Sequence, residues 1–167
     1  MPNTIYTFSQ RYKGIVNAIY SEVYISDSYK TAIQPVEERR PEITCNGLWD
    51  TGATCTVITQ KVVDALQLPV IAKTPIIGVG GTFTATMHVI DVWLPNRIVI
   101  PELKVTKGIL GANFDILLGM DIITKGDFSI SNLNGKTVFS YRVASLSSTG
   151  KDYMAKLEAT KQINDKK

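Results

Sequence analysis

The stretch Leu48-Trp49-Asp50-Thr51-Gly52-Ala53-Thr54-Cys55-Thr56-Val57-Ile58-Thr59 decides how the rest of the chain is read. Leu48 and Trp49 read as the apolar end of a buried strand. Asp-Thr-Gly interrupts it, and Thr56-Val57-Ile58-Thr59 is β-branched enough to begin another. A carboxylate at the tip of a tight loop between two core strands is poorly hydrated and rigidly held. Gly52 lets a backbone or a substrate approach closely, and the Thr51 hydroxyl can hydrogen-bond locally to hold the loop. That arrangement suits a carboxylate that exchanges a proton with water. Asp-x-Gly is also ordinary turn chemistry, so the stretch needs support from elsewhere in the chain.

Two further stretches give it. In Thr74-Pro75-Ile76-Ile77-Gly78-Val79-Gly80-Gly81-Thr82-Phe83-Thr84, strand-forming residues flank glycines 78, 80 and 81, which describes a mobile hairpin tip. A phosphate-binding loop is the competing reading, but no helix follows and the Gly-Lys-Ser/Thr ending is absent. An ordinary glycine-rich surface hairpin stays open. The third stretch, Phe114-Asp115-Ile116-Leu117-Leu118-Gly119-Met120-Asp121-Ile122-Ile123, is an apolar run ending in glycine. It reads as a fully buried strand that turns sharply. Asp121 is expected to cap a short helix over 122–125, closed by Gly126.

Asp50-Thr51-Gly52-Ala53 resembles the active-site motif of aspartic proteases, and the apolar lead-in with the trailing Thr-Val-Ile resembles the retropepsin-like branch. Gly78, Val79, Gly80 and Gly81 match the flap that closes over substrate in that family. Leu117, Leu118 and Gly119 match its apolar-apolar-Gly element beside the active-site loop. The three stretches occur in the family's order, and the resemblance covers roughly residues 15–143. The ending Leu-Gly-x-Asp is more similar to bacterial and DNA-damage-inducible members than to viral ones.

The resemblance implies an all-β, retropepsin-like acid protease fold. Its expected form is a closed, mostly antiparallel, barrel-like half with one or two short helices, active as a two-fold dimer. It implies an aspartic endopeptidase with Asp50 as catalytic carboxylate and no cofactor or metal. Hydrolysis by carboxylates needs two of them, and this chain holds one such motif, so a second copy of Asp50 must come from a homodimer. By the same resemblance Thr51 ties the two loops together and Gly52 contacts substrate backbone. The flap-tip N–H groups of Val79 and Gly80 would hold an extended peptide from above. Viral members follow the motif with acidic residues and carry Arg after the apolar-Gly element, where this chain has Thr54, Cys55 and Met120. A function of another class, a catalytically silent dimeric module binding peptides in the same cleft, is the alternative. The intact Asp50 motif favours the enzyme.

The remaining features narrow the classes. At 167 residues, 44% apolar and 20% charged, the chain suits one globular domain with a real core. A net charge of +3, with no basic run interleaved with aromatics, gives no argument for nucleic acid. No apolar run approaches membrane-spanning length, and Met1–Tyr6 has neither a basic n-region nor an apolar core, so a cytoplasmic protein off the membrane is the expectation. Cys45 and Cys55 read as free thiols, and His88 as a strand-face residue.

In order, residues 1–14 are expected to be an N-terminal extension, 15–143 the protease domain, and 144–167 a polar, partly helical or disordered tail. Strand is expected over 15–20 and 22–25, and an exposed, charged loop over 26–41. Asn46-Gly47 would signal a hairpin turn, whereas the resemblance prefers continuous strand into the motif, and both readings stay open. Residues 60–68 read as a helix capped by Thr59 and stopped by Pro69. Strands follow over 86–94, 98–100 and 103–105, with a loop over 108–113. Asn134-Gly135 joins two final strands.

Overall fold

The computed structural model describes residues 6–28, 35, 38–78, 80–95, 98–111 and 113–145. The strands are β1 (Tyr6–Arg11), β2 (Ile19–Asp27), β3 (Ile43–Trp49), β4 (Val57–Ile58), β5 (Ala72–Gly78), β6 (Gly81–Leu94), β7 (Ile98–Lys107), β8 (Ile116–Leu118), β9 (Asp127–Leu133) and β10 (Lys136–Val143). Two short helices, α1 (Gln60–Leu66) and α2 (Met120–Ile123), interrupt them.

Alternation of apolar and polar residues places the core. Along β2, Ile19, Ser21, Val23 and Ile25 point inward while Tyr20 and Glu22 face solvent. Strands β2, β3, β8, β4, β7 and β6 pair in that order, and β6 pairs back onto β2, which closes a barrel. Closure removes the free edges that an open sheet of this size would expose. Ile58, Ile90, Val105, Ile116 and Leu118 fill the interior and are fully buried. β5 extends outside the ring on β6, and β1, β10 and β9 form a separate antiparallel sheet.

Trp49 fastens that second sheet to the barrel. Its ring lies 5.1 Å from Phe139, 5.0 Å from Tyr141 and 6.2 Å from Phe8, all buried. Its indole N–H donates to Ser21 Oγ at 2.9 Å, so the ring is satisfied as well as packed. The residue before Asp50 is thereby among the most firmly held in the chain.

Several expectations meet a different outcome. Asn46-Gly47 makes no turn: β3 runs continuously into the motif. Glycine stands there because a Cβ at 47 would lie 3.2 Å from Leu118 Cδ1 and 3.3 Å from Val23. The stretch 15–18 is not strand, since Thr137 takes Gly14 O and Val16 N as hydrogen-bond partners and turns the chain there. Residues 6–11, within the stretch set apart as an extension, form β1 along β10 and send Phe8 into the core. The stretch 26–41 is not wholly an exposed loop. Ser26 and Asp27 finish β2, and Arg39 is only 6% exposed, ion-paired at 3.2 Å with the fully buried Asp91. A buried guanidinium needs such a partner, and that partner lies 52 residues away in sequence.

The helix α1 ends at Leu66 because Gln67 adopts a left-handed conformation (φ 53°). Thr59 precedes it without a side-chain cap, its hydroxyl buried and unpartnered. The two short strands expected over 98–105 are one strand, β7, which carries Pro101 and Glu102 (φ 54°) opposite an irregularity between Ile90 and Val92. The Asn134-Gly135 hairpin is as read, with both residues at positive φ. Asn96, Arg97, the tail after Ser145 and the helix expected over 152–162 lie outside the described residues. No described helix is long and apolar enough to cross a membrane.

Candidate active site

The two strands flanking Asp50 never pair with each other. β8 lies between them, parallel to β3 and antiparallel to β4. The Asp50 loop must therefore arch across the end of β8, and the chain fastens it there. Asp50 N donates to Leu118 O at 3.0 Å, and Met120 N donates to Ala53 O at 2.8 Å. Leu117, Leu118 and Gly119 thus sit directly beside the loop. Gly119 allows the approach, since a Cβ there would lie 2.7 Å from the Cys55 backbone and 3.0 Å from Ala53 O.

Within the loop, Gly52 N donates to Asp50 Oδ1 at 2.8 Å and Ala53 N donates to Asp50 O at 3.3 Å. The first bond fixes one carboxylate oxygen of a half-buried residue. A Cβ at Gly52 would crowd Oδ1 at 3.2 Å. Thr51 and Gly52 are exposed at the tip and Ala53 is half-buried. Within one chain the tip thus presents a single rigid carboxylate.

Asp121 is not the helix cap expected of it. Gly119 occupies the cap position of α2 and Asp121 lies inside the first turn. Its carboxylate accepts from the N–H and hydroxyl of Thr56, at 2.9 and 2.7 Å, across 65 residues of sequence. Sequence reasoning missed both residues as parts of the site, because neither periodicity nor spacing relates them.

The glycine-rich stretch is a hairpin: β5 and β6 pair antiparallel up to Gly78 opposite Gly81. Gly81 has φ 111°, a conformation that glycine adopts freely, and a Cβ at Gly80 would meet nothing within 4 Å. Ile77 is 87% exposed and Phe83 50%. Val79 lies outside the described residues.

Other candidates fall away from the site. His88 is fully buried, its Nδ1 2.9 Å from Pro69 O and its Nε2 3.0 Å from Thr86 Oγ1. Since Pro69 O can only accept, Nδ1 carries the proton, and the ring is a satisfied core group. Cys45 is buried and free, and burial foremost, with the nearby Asp115 charge, pushes its thiol up to about 12, which leaves it unreactive. Cys55 is free and exposed. Burial by itself raises the Asp115 carboxyl, but the Lys61 ammonium at 2.8 Å and the Asn46 N–H at 3.0 Å outweigh it and hold the carboxyl below its ordinary value. That ion pair ties α1 to the residue before β8, and the Asn46 N–H joins the same carboxylate to β3.

A family model described as aspartyl protease matches residues 42–122, from the start of β3 into α2, the segment that contains the Asp50 loop, the hairpin and β8. A retropepsin-like aspartic protease from Rickettsia conorii has the same fold, at a TM-score of 0.51 and 14% identity, over 84% of this chain and 96% of that one. Residues 42–122 thus match the aspartyl protease family, and the fold is that of a retropepsin-like aspartic protease. The EIAV protease in complex with the inhibitor HBY-793 is also similar, at a TM-score of 0.46 and 22% identity, over 65% of this chain and 86% of that one. No curated protein sequence matches. Within this retropepsin-like chain, the positions departing from the viral pattern have no charge to pair: Met120 packs against the core, while Thr54 and Cys55 face solvent.

Proposed function

We propose that the protein is an aspartic endopeptidase in which two copies of Asp50, one from each subunit of a homodimer, activate the water that attacks a peptide bond. The observation that carries this reading is the Asp50 loop: a half-buried carboxylate pinned by Gly52 N on one oxygen, in the one Asp-Thr-Gly motif of the sequence. Two carboxylates brought into contact share one proton. The ionised one takes a proton from water while the protonated one donates to the carbonyl oxygen, giving a tetrahedral diol. One hydroxyl then returns its proton to a carboxylate as the C–N bond breaks, and the leaving nitrogen takes a proton from the pair. No residue other than Asp50 needs to exchange a proton.

The β5–β6 hairpin supports an extended peptide as substrate. In this reading its tip, Gly78 to Gly81, closes over the peptide, and Ile77 and Phe83 give it apolar surface to meet substrate side chains. Gly80→Val adds a β-branched side chain where close backbone approach is needed. It is expected to lower kcat/KM on the order of 10- to 100-fold with a nearly unchanged melting temperature, because the tip carries no core packing. Steady-state kinetics beside a thermal melt checks this.

The proposal as a whole is tested by cleavage of a peptide library across a protein dilution series, with sedimentation run in parallel. Specific activity is expected to fall as the dimer dissociates. A sedimenting monomer with full specific activity contradicts the shared site.

A further inference from the structure

The two ends of the Asp50 loop are held by different means. Its first half is pinned by the main-chain bonds to Leu118 and Met120, which need only the close approach that Gly119 allows. Its return end has one main-chain bond, from Thr106 N to Thr56 O at 3.2 Å, and is otherwise held by side chains. Thr56 is fully buried; its N–H donates to Asp121 Oδ2 at 2.9 Å and its hydroxyl donates to Oδ1 at 2.7 Å. The same hydroxyl oxygen accepts from Gly119 N at 3.2 Å, and Asp121 Oδ1 also accepts from Ile122 N at 3.0 Å. Both carboxylate oxygens are engaged, and the hydroxyl serves once as donor and once as acceptor. Neither side chain can rotate without breaking more than one bond, and bonds to a carboxylate are the stronger kind.

We infer that Asp121 is a positioning residue for the Asp50 carboxylate, acting through Thr56 to hold the Asp50 loop over the end of β8. The inference rests on the protease reading for its effect on catalysis, though not for its effect on the loop. The Asp121 carboxylate is bonded to Thr56 and to Ile122 N. Its effect is on where Asp50 stands, and displacement of a reacting group by about 1 Å costs on the order of 100-fold in rate.

The test uses the full chain with Asp121→Ala, Thr56→Val and Thr56→Ser. The valine variant removes one hydroxyl at nearly constant volume, which keeps the test usable if Asp121→Ala does not fold. Amide hydrogen exchange at Gly52, Ala53 and Thr56 is read first, since it needs no substrate. Asp121→Ala and Thr56→Val are expected to speed exchange there by roughly 10- to 100-fold, with β10 amides unaltered, and Thr56→Ser to restore protection. Peptide cleavage is read second. The same two variants are expected to lower kcat by roughly 10- to 100-fold with KM nearly constant, the serine variant recovering it. Loop amides that do not respond, or exchange that rises equally in every strand, overturn the clamp whatever the activity. Responding loop amides with an unaltered kcat overturn the catalytic consequence. A wild-type chain that cleaves nothing while its loop amides respond sinks the protease reading and leaves the clamp standing.

Discussion

Asp50→Asn is expected to lower peptide hydrolysis at least about 1,000-fold while the folded chain stays as stable as the wild type. The loop should survive because an asparagine Oδ1 still accepts from Gly52 N, and Asp50 N still donates to Leu118 O. What is lost is the ability to take a proton from water, since an amide oxygen is a far weaker base than a carboxylate. Cleavage of an unfolded protein substrate, quantified for both chains after matching their melting curves, measures the effect. Equal turnover would remove the endopeptidase reading. A wild-type chain that binds peptides in the cleft without cleaving them would instead favour the silent peptide-binding module.

The second large effect is structural. Gly119→Ala is expected to destabilise the protein by about 3 kcal/mol, lowering the melting temperature by roughly 6–12 °C, and to impair activity beyond that loss. The backbone conformation at 119 (φ −89°) is open to alanine, so conformational strain is not the cause. The cause is space: the new methyl would stand 2.7 Å from Cys55 C and O, which are main-chain atoms and cannot swing aside. Relief requires the Asp50 loop to lift off β8, stretching the bond from Met120 N to Ala53 O. Differential scanning calorimetry with kinetics on the residual folded fraction checks this. An alanine variant with wild-type stability would mean that the loop is free to move away from β8.

The parts of this architecture that follow local rules were legible in the sequence. The apolar run 116–118 ending in Gly119 announced a buried strand with a sharp turn, and Asn134-Gly135 announced its hairpin. The loop around Asp50 was legible because three motifs occur in a fixed order. What stayed hidden depends on contacts distant in sequence. Asn46-Gly47 has turn chemistry, yet pairing with β2 on one side and β8 on the other holds it as strand. Arg39 looks like part of a solvated charge run until Asp91 is brought beneath it. Asp121 reads as a cap from its place before two isoleucines, and only the arch of the Asp50 loop over β8 sets it against Thr56. In each case tertiary pairing outweighed a local preference worth about 1 kcal/mol or less.

The central claim, that each site is built from two copies of Asp50, is tested most directly by mixing. Wild-type and Asp50→Asn chains are combined at constant total concentration, given time to exchange subunits, and assayed as the wild-type fraction is varied. If both carboxylates are needed, only wild-type pairs are active and activity follows the square of the wild-type fraction, reaching about one quarter at an equal mixture. A linear fall, to about one half at the same point, would mean that one chain carries a complete site and would contradict the account.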